Sequence, residues 1–351
     1  MSIPKLRKKI DILDARIIAL LNDRANVSLA IGKEKNKSQK SIYAPDREKK
    51  VLDRIKKLSK GPMKPDALDA IYREVMSSSL SLEKPLQIAY LGPQASFTHL
   101  AARKKFGSQI TYVPCMNIPD VFDRVEKGDC DYGVVPIENS IDGAITHTLD
   151  PLADSELKIC AQVLLEISHN LLSGGNLNSI KTIYSKSQVF GQCRNWIRNN
   201  LPRAELIEAS STTKAAQIVA KKKTAACIAS ALAAQVYDLK ILEKGIEDFS
   251  HNITRFLVIA NDDASPTGKD RTSILFSIKD RVGALHEMLV PFSRNKINLT
   301  KIESRPSKKK AWDYYFFVDC QGHHQDKNVQ KALKELEKKC KYLKVLGSYP
   351  V

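Results

Sequence analysis

Leu6, Ile10, Leu13, Ile17 and Leu20 recur at alternating steps of four and three, the spacing of one helical face packed on another helix. The next step lands on Arg24, and Val27 and Ile31 then resume the series, so the pattern is interrupted at one position. An unpaired guanidinium is costly to bury, and something anionic is therefore expected to meet Arg24. The helical period holds from Ile3 to about Asn36 without an internal stop, a length of about 50 Å. Pro45 and Asp46 open a second helix with Val51, Leu52, Ile55 and Leu58 on one face. Gly61, Pro62 and Pro65 punctuate the start of a third, which carries Leu68, Ile71, Val75 and Leu82. Three helices in so short a segment make a thin core, and the pattern predicts an intertwined helical dimer over residues 1–84.

After Lys84 and Pro85 the texture changes. "LQIAYLG", "DYGVVPI" and "KTIYSK" are short strands, and helical runs such as Ser96 to Phe106 and Thr212 to Lys222 alternate with them. That alternation predicts an α/β unit over residues 86–263, followed by the polar loop "NDDASPTGKD". Residues 271–351 form a third unit. "TSILFSI", "INLTKIES", "WDYYFFVDC" and "YLKVLGSYP" read as strands, with the basic turn "SKKK" between the second and third and helices over Gly283 to Arg294 and Val329 to Lys339. The order βαββαβ is that of a ferredoxin-like α+β unit. The chain is thus multidomain: all-α, then α/β, then α+β.

A formal charge of +17 and a pI near 9.4 favour anionic partners. The lysines are spread without a basic stripe interleaved with aromatics and without zinc-finger spacing, so nucleic acid is not the expected partner. Seven cysteines include no C-x-x-C pair, which argues against a disulfide framework and a structural zinc, and no metal is expected. No apolar h-region follows the charged start and no long apolar run occurs, so the reading is a cytoplasmic protein with no membrane partner.

Arg24 has company. Arg47 and Glu48 stand four residues before Val51 and Leu52, at the edge of the second helix's apolar stripe, and Ser79 does the same on the third. Glu83 follows Ser79 by one turn, Lys35 lies on roughly the face of Arg24, and Arg7 flanks the first seam. Such a set is either a buried ion-pair network or a pocket for a dianion, and four cations favour the pocket. In "LRKKIDILDARIIALLNDR", "GKEK", "DREKKVL" and "SLSLE" the chain resembles the all-helical chorismate mutase domain. The resemblance implies a pericyclic rearrangement of chorismate to prephenate in which Arg7, Arg24 and Arg47 hold carboxylates and Lys35 donates to the ether oxygen. Glu48 would take the substrate hydroxyl and Ser79 a carboxylate. Preplaced donors and a coiled substrate suffice, without a nucleophile. Many relatives carry glutamine where this chain has Glu83, and a carboxyl donates only when protonated. Mutase activity is therefore expected to rise toward acid pH. Ala44 also replaces a carboxylate found in some relatives.

The middle segment holds "YLGPQASFTHLAA", "VPIENS", "SSTTKAA" and "EDFSHNITRFLVI". A glycine-proline turn before a helix is a common anion-binding N-terminus and equally a capped helix. No strand is followed by G-x-G-x-x-G, so a nicotinamide enzyme is disfavoured and no cofactor is expected. In order and spacing the four motifs resemble prephenate dehydratase. That family implies a two-lobed fold, with prephenate losing carbon dioxide and its ring hydroxyl to give phenylpyruvate. The resemblance assigns the proton donor to Thr254. Arg255 would bind a carboxylate or hold the loop, and Glu138, Asn139, Ser140, Ser211 and Thr212, with Gln192, would orient the substrate. Ala95 and Ser96 stand where relatives usually have glycine and threonine.

"GALHEML" and "ESRP" resemble the two motifs by which ACT regulatory domains of such enzymes bind phenylalanine at a dimer interface. They point to Gly283, Ala284 and Leu285 with Glu303, Ser304, Arg305 and Pro306 as effector contacts, His286 replacing a commoner valine. All three units together resemble the bifunctional mutase–dehydratase family, working as a homodimer or higher oligomer. The rivals are a mutase joined to prephenate dehydrogenase, which lacks its nicotinamide fingerprint, and a non-enzymatic amino-acid sensor, which leaves the polar helical seam unexplained.

Overall fold

The first apolar series forms a single helix, α1 (Ile3–Lys37), in the computed structural model of the chain, which describes residues 2–37, 42–249, 251–279, 281–307 and 313–351. Its face stays uncovered: Leu6 is 45% exposed, Ile17 52% and Leu20 67%. Helices α2 (Pro45–Leu58) and α3 (Pro65–Glu83) each begin with proline in the first turn, where its missing N–H breaks no helical bond. Helix α3 packs along α1. These helices and residues 105–111 make one compact unit, and the rest of the chain makes the other.

The chain continues, mostly in the second unit, with β1 (Gln87–Leu91), α4 (Phe97–Phe106), β2 (Thr111–Cys115), α5 (Ile118–Glu126), β3 (Tyr132–Asn139), β4 (Gly143–Ala144), α6 (Thr146–Asp154) and β5 (Lys158–Glu166). Next come β6 (Asn170–Ser173), β7 (Thr182–Ser185), α7 (Ser187–Gln192), α8 (Arg194–Asn200), β8 (Glu205–Glu208), α9 (Thr212–Val219), β9 (Ala225–Ala229), α10 (Ala231–Val236) and β10 (Lys240–Glu243). The chain then returns through β11 (Ile253–Ala260). Two sheets result, in the orders β2-β1-β3-β11-β5, with β4 on β3, and β10-β6-β9-β7-β8. In the first, β11 runs antiparallel to β3 with Thr254 opposite Asn139 and Arg255 opposite Glu138. Successive side chains of a strand point to opposite faces, so these two pairs cannot share a face.

The C-terminal elements are β12 (Asp270–Ser277), α11 (Ala284–Arg294), β13 (Leu299–Pro306), β14 (Tyr314–Gln321), α12 (Lys327–Glu337) and β15 (Tyr342–Pro350), the sheet running β13-β14-β12-β15. The expected basic turn lies, beyond Ser307, outside the described residues, as does Trp312. Strand alternation gives this sheet two cores. Ile274 and Phe276 pack with Met288, Phe292 and Leu336 of the helices, whereas Leu275, Phe317 and Leu346 join Leu257 and Ile159 of the first sheet. The C-terminal domain is therefore fused by an apolar layer to the strand that carries Thr254. Among the described residues no helix is long and apolar enough to cross a membrane.

Candidate active sites

The interruption at Arg24 has a physical counterpart in the helical unit. Arg24 Nη1 donates to Ser79 Oγ, which donates to the Val75 carbonyl at 2.9 Å. Lys35 Nζ lies 3.1 Å from Glu83 Oε2 and donates to the Ile42 carbonyl at 2.5 Å. Lys105 Nζ and the Tyr43 hydroxyl both reach Glu48 Oε2, at 2.7 and 2.6 Å. Arg24, Lys35, Arg47, Glu48, Ser79 and Glu83 line one cleft holding about 940 Å³ of space open to solvent, joined by Arg73, Lys105 and Ala44. Five cations against two carboxylates suit a dianion. Arg7 is exposed and does not line the cleft of this chain.

A second polar cluster forms where β3 meets β11. Asn139 Nδ2 donates to Thr254 Oγ1 at 2.8 Å and to Asn252 Oδ1 at 2.6 Å. Since the Thr254 oxygen accepts here, its own proton is left for another acceptor. Gln192 ends α7, beyond β7 of the second sheet, and connects Asn252 at 3.5 Å with Asp142 at 3.2 Å. Its amide oxygen lies 2.7 Å from His169 Nε2. That oxygen can only accept, which puts the imidazole proton on Nε2, and burial pushes His169 below its ordinary value toward the neutral ring. Ser140 Oγ accepts from the Ile253 N–H at 2.9 Å and donates to the His251 carbonyl at 2.9 Å, closing the turn beside the cluster.

Glu138 and Arg255 depart from the expected arrangement. They occupy the opposite face of the sheet from Thr254 and Asn139, because each is the next residue along its strand. Arg255, 4% exposed, lies 2.9 Å from Glu138 and 2.7 Å from Asp319 of β14, and Lys301 of β13 also pairs with Glu138. Burial works against both charges. For Glu138 the Lys301 ammonium and the Arg255 guanidinium outweigh it and hold the carboxyl below its ordinary value. For Arg255 the carboxylates of Asp319 and Glu138 outweigh it and hold the guanidinium up. These residues tie domains together and do not join the Thr254 cluster. Ser211 caps α9 by accepting from Lys214 N at 3.0 Å, and the hydrogen bonds of the cluster reach neither it nor Thr212.

In the C-terminal unit Gly283 precedes α11 with φ 78°, a left-handed conformation that favours glycine. Gly283, Ala284, Leu285 and His286 line a cleft of about 930 Å³ with Ile278, Arg281, Tyr314 and Phe316. Pro306 pairs with Tyr314 at the rim, but Glu303, Ser304 and Arg305 do not line it, and Arg305 is engaged by Asp150 of α6.

Comparison with known proteins decides what these sites belong to. The chain matches the family models for chorismate mutase type II over residues 6–84, prephenate dehydratase over 88–264 and the ACT domain over 272–338. A bifunctional chorismate mutase/prephenate dehydratase of Aquifex aeolicus is 48% identical over 99% of this chain and 97% of its own length. The chain belongs to the bifunctional chorismate mutase/prephenate dehydratase family. A member from Stutzerimonas stutzeri is 43% identical over 98% of this chain and 96% of that protein. Among solved structures, the prephenate dehydratase of Arthrobacter aurescens in complex with L-Phe superposes with a TM-score of 0.71 at 34% identity, covering 76% of this chain and 90% of that one. The chain is thus an enzyme of both activities, with a helical mutase region, an α/β dehydratase domain and an ACT domain.

Sequence reasoning passed over Tyr43, Arg73 and Lys105 in the mutase cleft, and Asn252, His169 and Asp142 beside Thr254. Asn252 was within reach, since it stands two residues before Thr254 and shares its face. Lys105 was not, because it lies well beyond the segment whose motif resembles a mutase.

Proposed function

We propose that the chain converts chorismate to prephenate in the helical cleft and prephenate to phenylpyruvate beside Thr254, under feedback inhibition by phenylalanine at the ACT domain. The observation that carries the reading is the convergence of Arg24, Lys35, Arg47, Glu48, Ser79 and Glu83, drawn from three helices, on one cationic cleft. Arg24 and Arg47 hold substrate carboxylates, Lys35 meets the ether oxygen as the C–O bond breaks, and Glu48 accepts the hydroxyl. Developing charge then meets donors already in place. Arg7 comes from a second copy of the chain, whose α1 covers the exposed row from Leu6 to Leu20 in an intertwined dimer.

In the dehydratase cluster Thr254 protonates the departing ring hydroxyl as carbon dioxide leaves and the ring becomes aromatic. The bond it receives from Asn139 makes its own hydrogen a better donor. Asn139, Ser140 and Gln192 with Asn252 orient the substrate, while Glu138 and Arg255 hold the strand from behind. Ser211 and Thr212 belong to the opposite lobe of the two-lobed domain. Phenylalanine binds at Gly283 to Leu285, with the Glu303 to Pro306 strand supplying the rest of the effector site at a dimer interface, in a ferredoxin-like unit. The proposed domain limits are 1–84, 86–263 and 271–351. Neither reaction exchanges electrons, so no redox cofactor enters. Free cysteines throughout fit a reduced, cytoplasmic setting.

Incubating the purified chain with chorismate near pH 6, with and without phenylalanine, tests the reading in one experiment. Phenylpyruvate formation that phenylalanine suppresses is the expected result. Prephenate accumulating without phenylpyruvate removes the role given to Thr254, and intact chorismate and prephenate defeat the proposal.

A further inference from the structure

The mutase cleft includes two residues that lie outside the matched mutase segment. Lys105 and Phe106 end helix α4, within the stretch matched by the dehydratase model, yet both line the cleft of the helical unit. A tight turn holds them there. Gly107 has φ 79°, and a Cβ at this position would fall 2.4 Å from Ser77 Cβ, so only glycine lets the chain pass against α3. Ser77, 1% exposed, accepts from the Gln109 N–H at 3.1 Å. Glu74, one helical turn earlier, accepts from the Ser108 N–H at 3.1 Å and its hydroxyl at 2.5 Å. Phe106, 2% exposed, packs on the Tyr43 ring with centroids 4.9 Å apart.

What this turn delivers is an ammonium against Glu48. Lys105 Nζ stands 2.7 Å from Glu48 Oε2, with both side chains mostly buried, and the Tyr43 hydroxyl donates to the same oxygen at 2.6 Å. Two donors on one carboxylate oxygen fix the rotation of the group. Among the described residues no hydrogen bond or ion pair engages the other oxygen, Oε1, which leaves it to accept from a ligand in the cleft. We propose that Lys105 is a positioning residue of the mutase reaction: with Tyr43 it clamps Oε2 of Glu48 so that Oε1 faces the substrate hydroxyl, and the mutase site is completed by a residue of the dehydratase segment.

This rests on the assignment of the cleft to the mutase, and the test separates the two. In the full-length enzyme Lys105→Met is expected to lower mutase kcat/KM about tenfold to a hundredfold, the worth of one charge-assisted hydrogen bond. Prephenate turnover by the same molecules should stay within about twofold, which reports that α4 is folded. Lys105→Arg should recover most of the loss. In a Glu48→Gln background Lys105→Met should cost less than about threefold more, since a residue acting through Glu48 is not additive with it. An unchanged mutase rate in Lys105→Met while Arg24→Ala is inactive overturns the proposal alone. An unchanged rate in Arg24→Ala overturns it together with the assignment of the cleft. Should Lys105→Met lose both activities, Tyr43→Phe decides: it removes only a hydroxyl, and a mutase rate within twofold of the parent overturns the clamp, whereas a loss confined to the mutase upholds it.

Discussion

Arg255 stands 2.7 Å from Asp319, so the strand that carries Thr254 is bound by its very next residue to the ACT domain. Asp319 in turn accepts from Ser273 Oγ at 2.6 Å, which meets the Tyr349 hydroxyl at 2.9 Å. A buried cation that loses one of its carboxylates becomes strongly destabilising, by about 3–5 kcal/mol. Asp319→Asn is therefore expected to lower the unfolding midpoint of the dehydratase unit and to blunt its response to phenylalanine. Dehydratase rates measured across a phenylalanine series check this. A full-strength response at unchanged stability would show that the link carries neither load.

Thr254 and Asn139 form the pair on the opposite face, and their roles differ in a measurable way. Thr254→Val keeps the shape and removes the proton, so dehydratase kcat should fall at least about a hundredfold, the range of general acid catalysis. Thr254→Ser keeps a hydroxyl beside Asn139 and should retain most of the rate. Mutase turnover in the same preparations should not change. If valine and serine variants were equally active, another group would have to supply the proton.

Periodicity made the three segments and their elements legible, and even the exception at Arg24, because an apolar row broken by one cation is a local signal. The face of Arg255 was legible too. Thr254 and Arg255 are neighbours in a strand, and alternation forbids both from meeting one substrate, although the motif that contains them invites that reading. Two features left no such trace. Lys105 enters the mutase cleft through a turn fixed by Gly107 and Ser77, far along the chain, and Arg7, although it flanks the first seam, does not line the cleft of this chain. Contacts set by tertiary or quaternary approach have no period.

His99 gives the dehydratase domain a built-in acid limit. The Ala95 N–H donates to its Nδ1 at 3.0 Å, and the ring stacks on Tyr90 with centroids 4.7 Å apart, an arrangement that requires the neutral imidazole. Burial, aided by Arg103, pushes its pKa down to about 4. Below pH 6.5 the unfolded chain takes up a proton that the folded chain refuses, so the stabilisation is complete above pH 6.5 and declines as pH falls toward 4. The loss amounts to about 3 kcal/mol. The Glu138 carboxyl, held below its ordinary value, adds a loss of its own only near and below pH 4.5, where the unfolded carboxylate takes up a proton. His99→Gln, which can still accept from Ala95, should flatten the fall of the urea midpoint between pH 7 and 4.5, followed by loss of dehydratase turnover. An equally steep fall in the variant would assign the acid limit elsewhere.

Glu83 puts a carboxylate in the mutase cleft where the resemblance leads us to expect glutamine. Lys35, the residue assigned to the ether oxygen, lies 3.1 Å from the Glu83 carboxylate and is drawn toward it. An ionised Glu83 thus acts twice against the reaction: it cannot donate to the breaking bond, and it competes for the ammonium that can. Glu83→Gln removes both effects. At pH 8 the variant should turn over chorismate several-fold faster than the parent enzyme, and the two rates should draw together toward acid pH, since a carboxyl donates only when protonated. Prephenate formation followed from pH 5 to 8 in both proteins distinguishes the cases. A parent profile as flat as that of the variant would mean that Lys35 alone meets the developing charge, and that Glu83 serves only to hold it there.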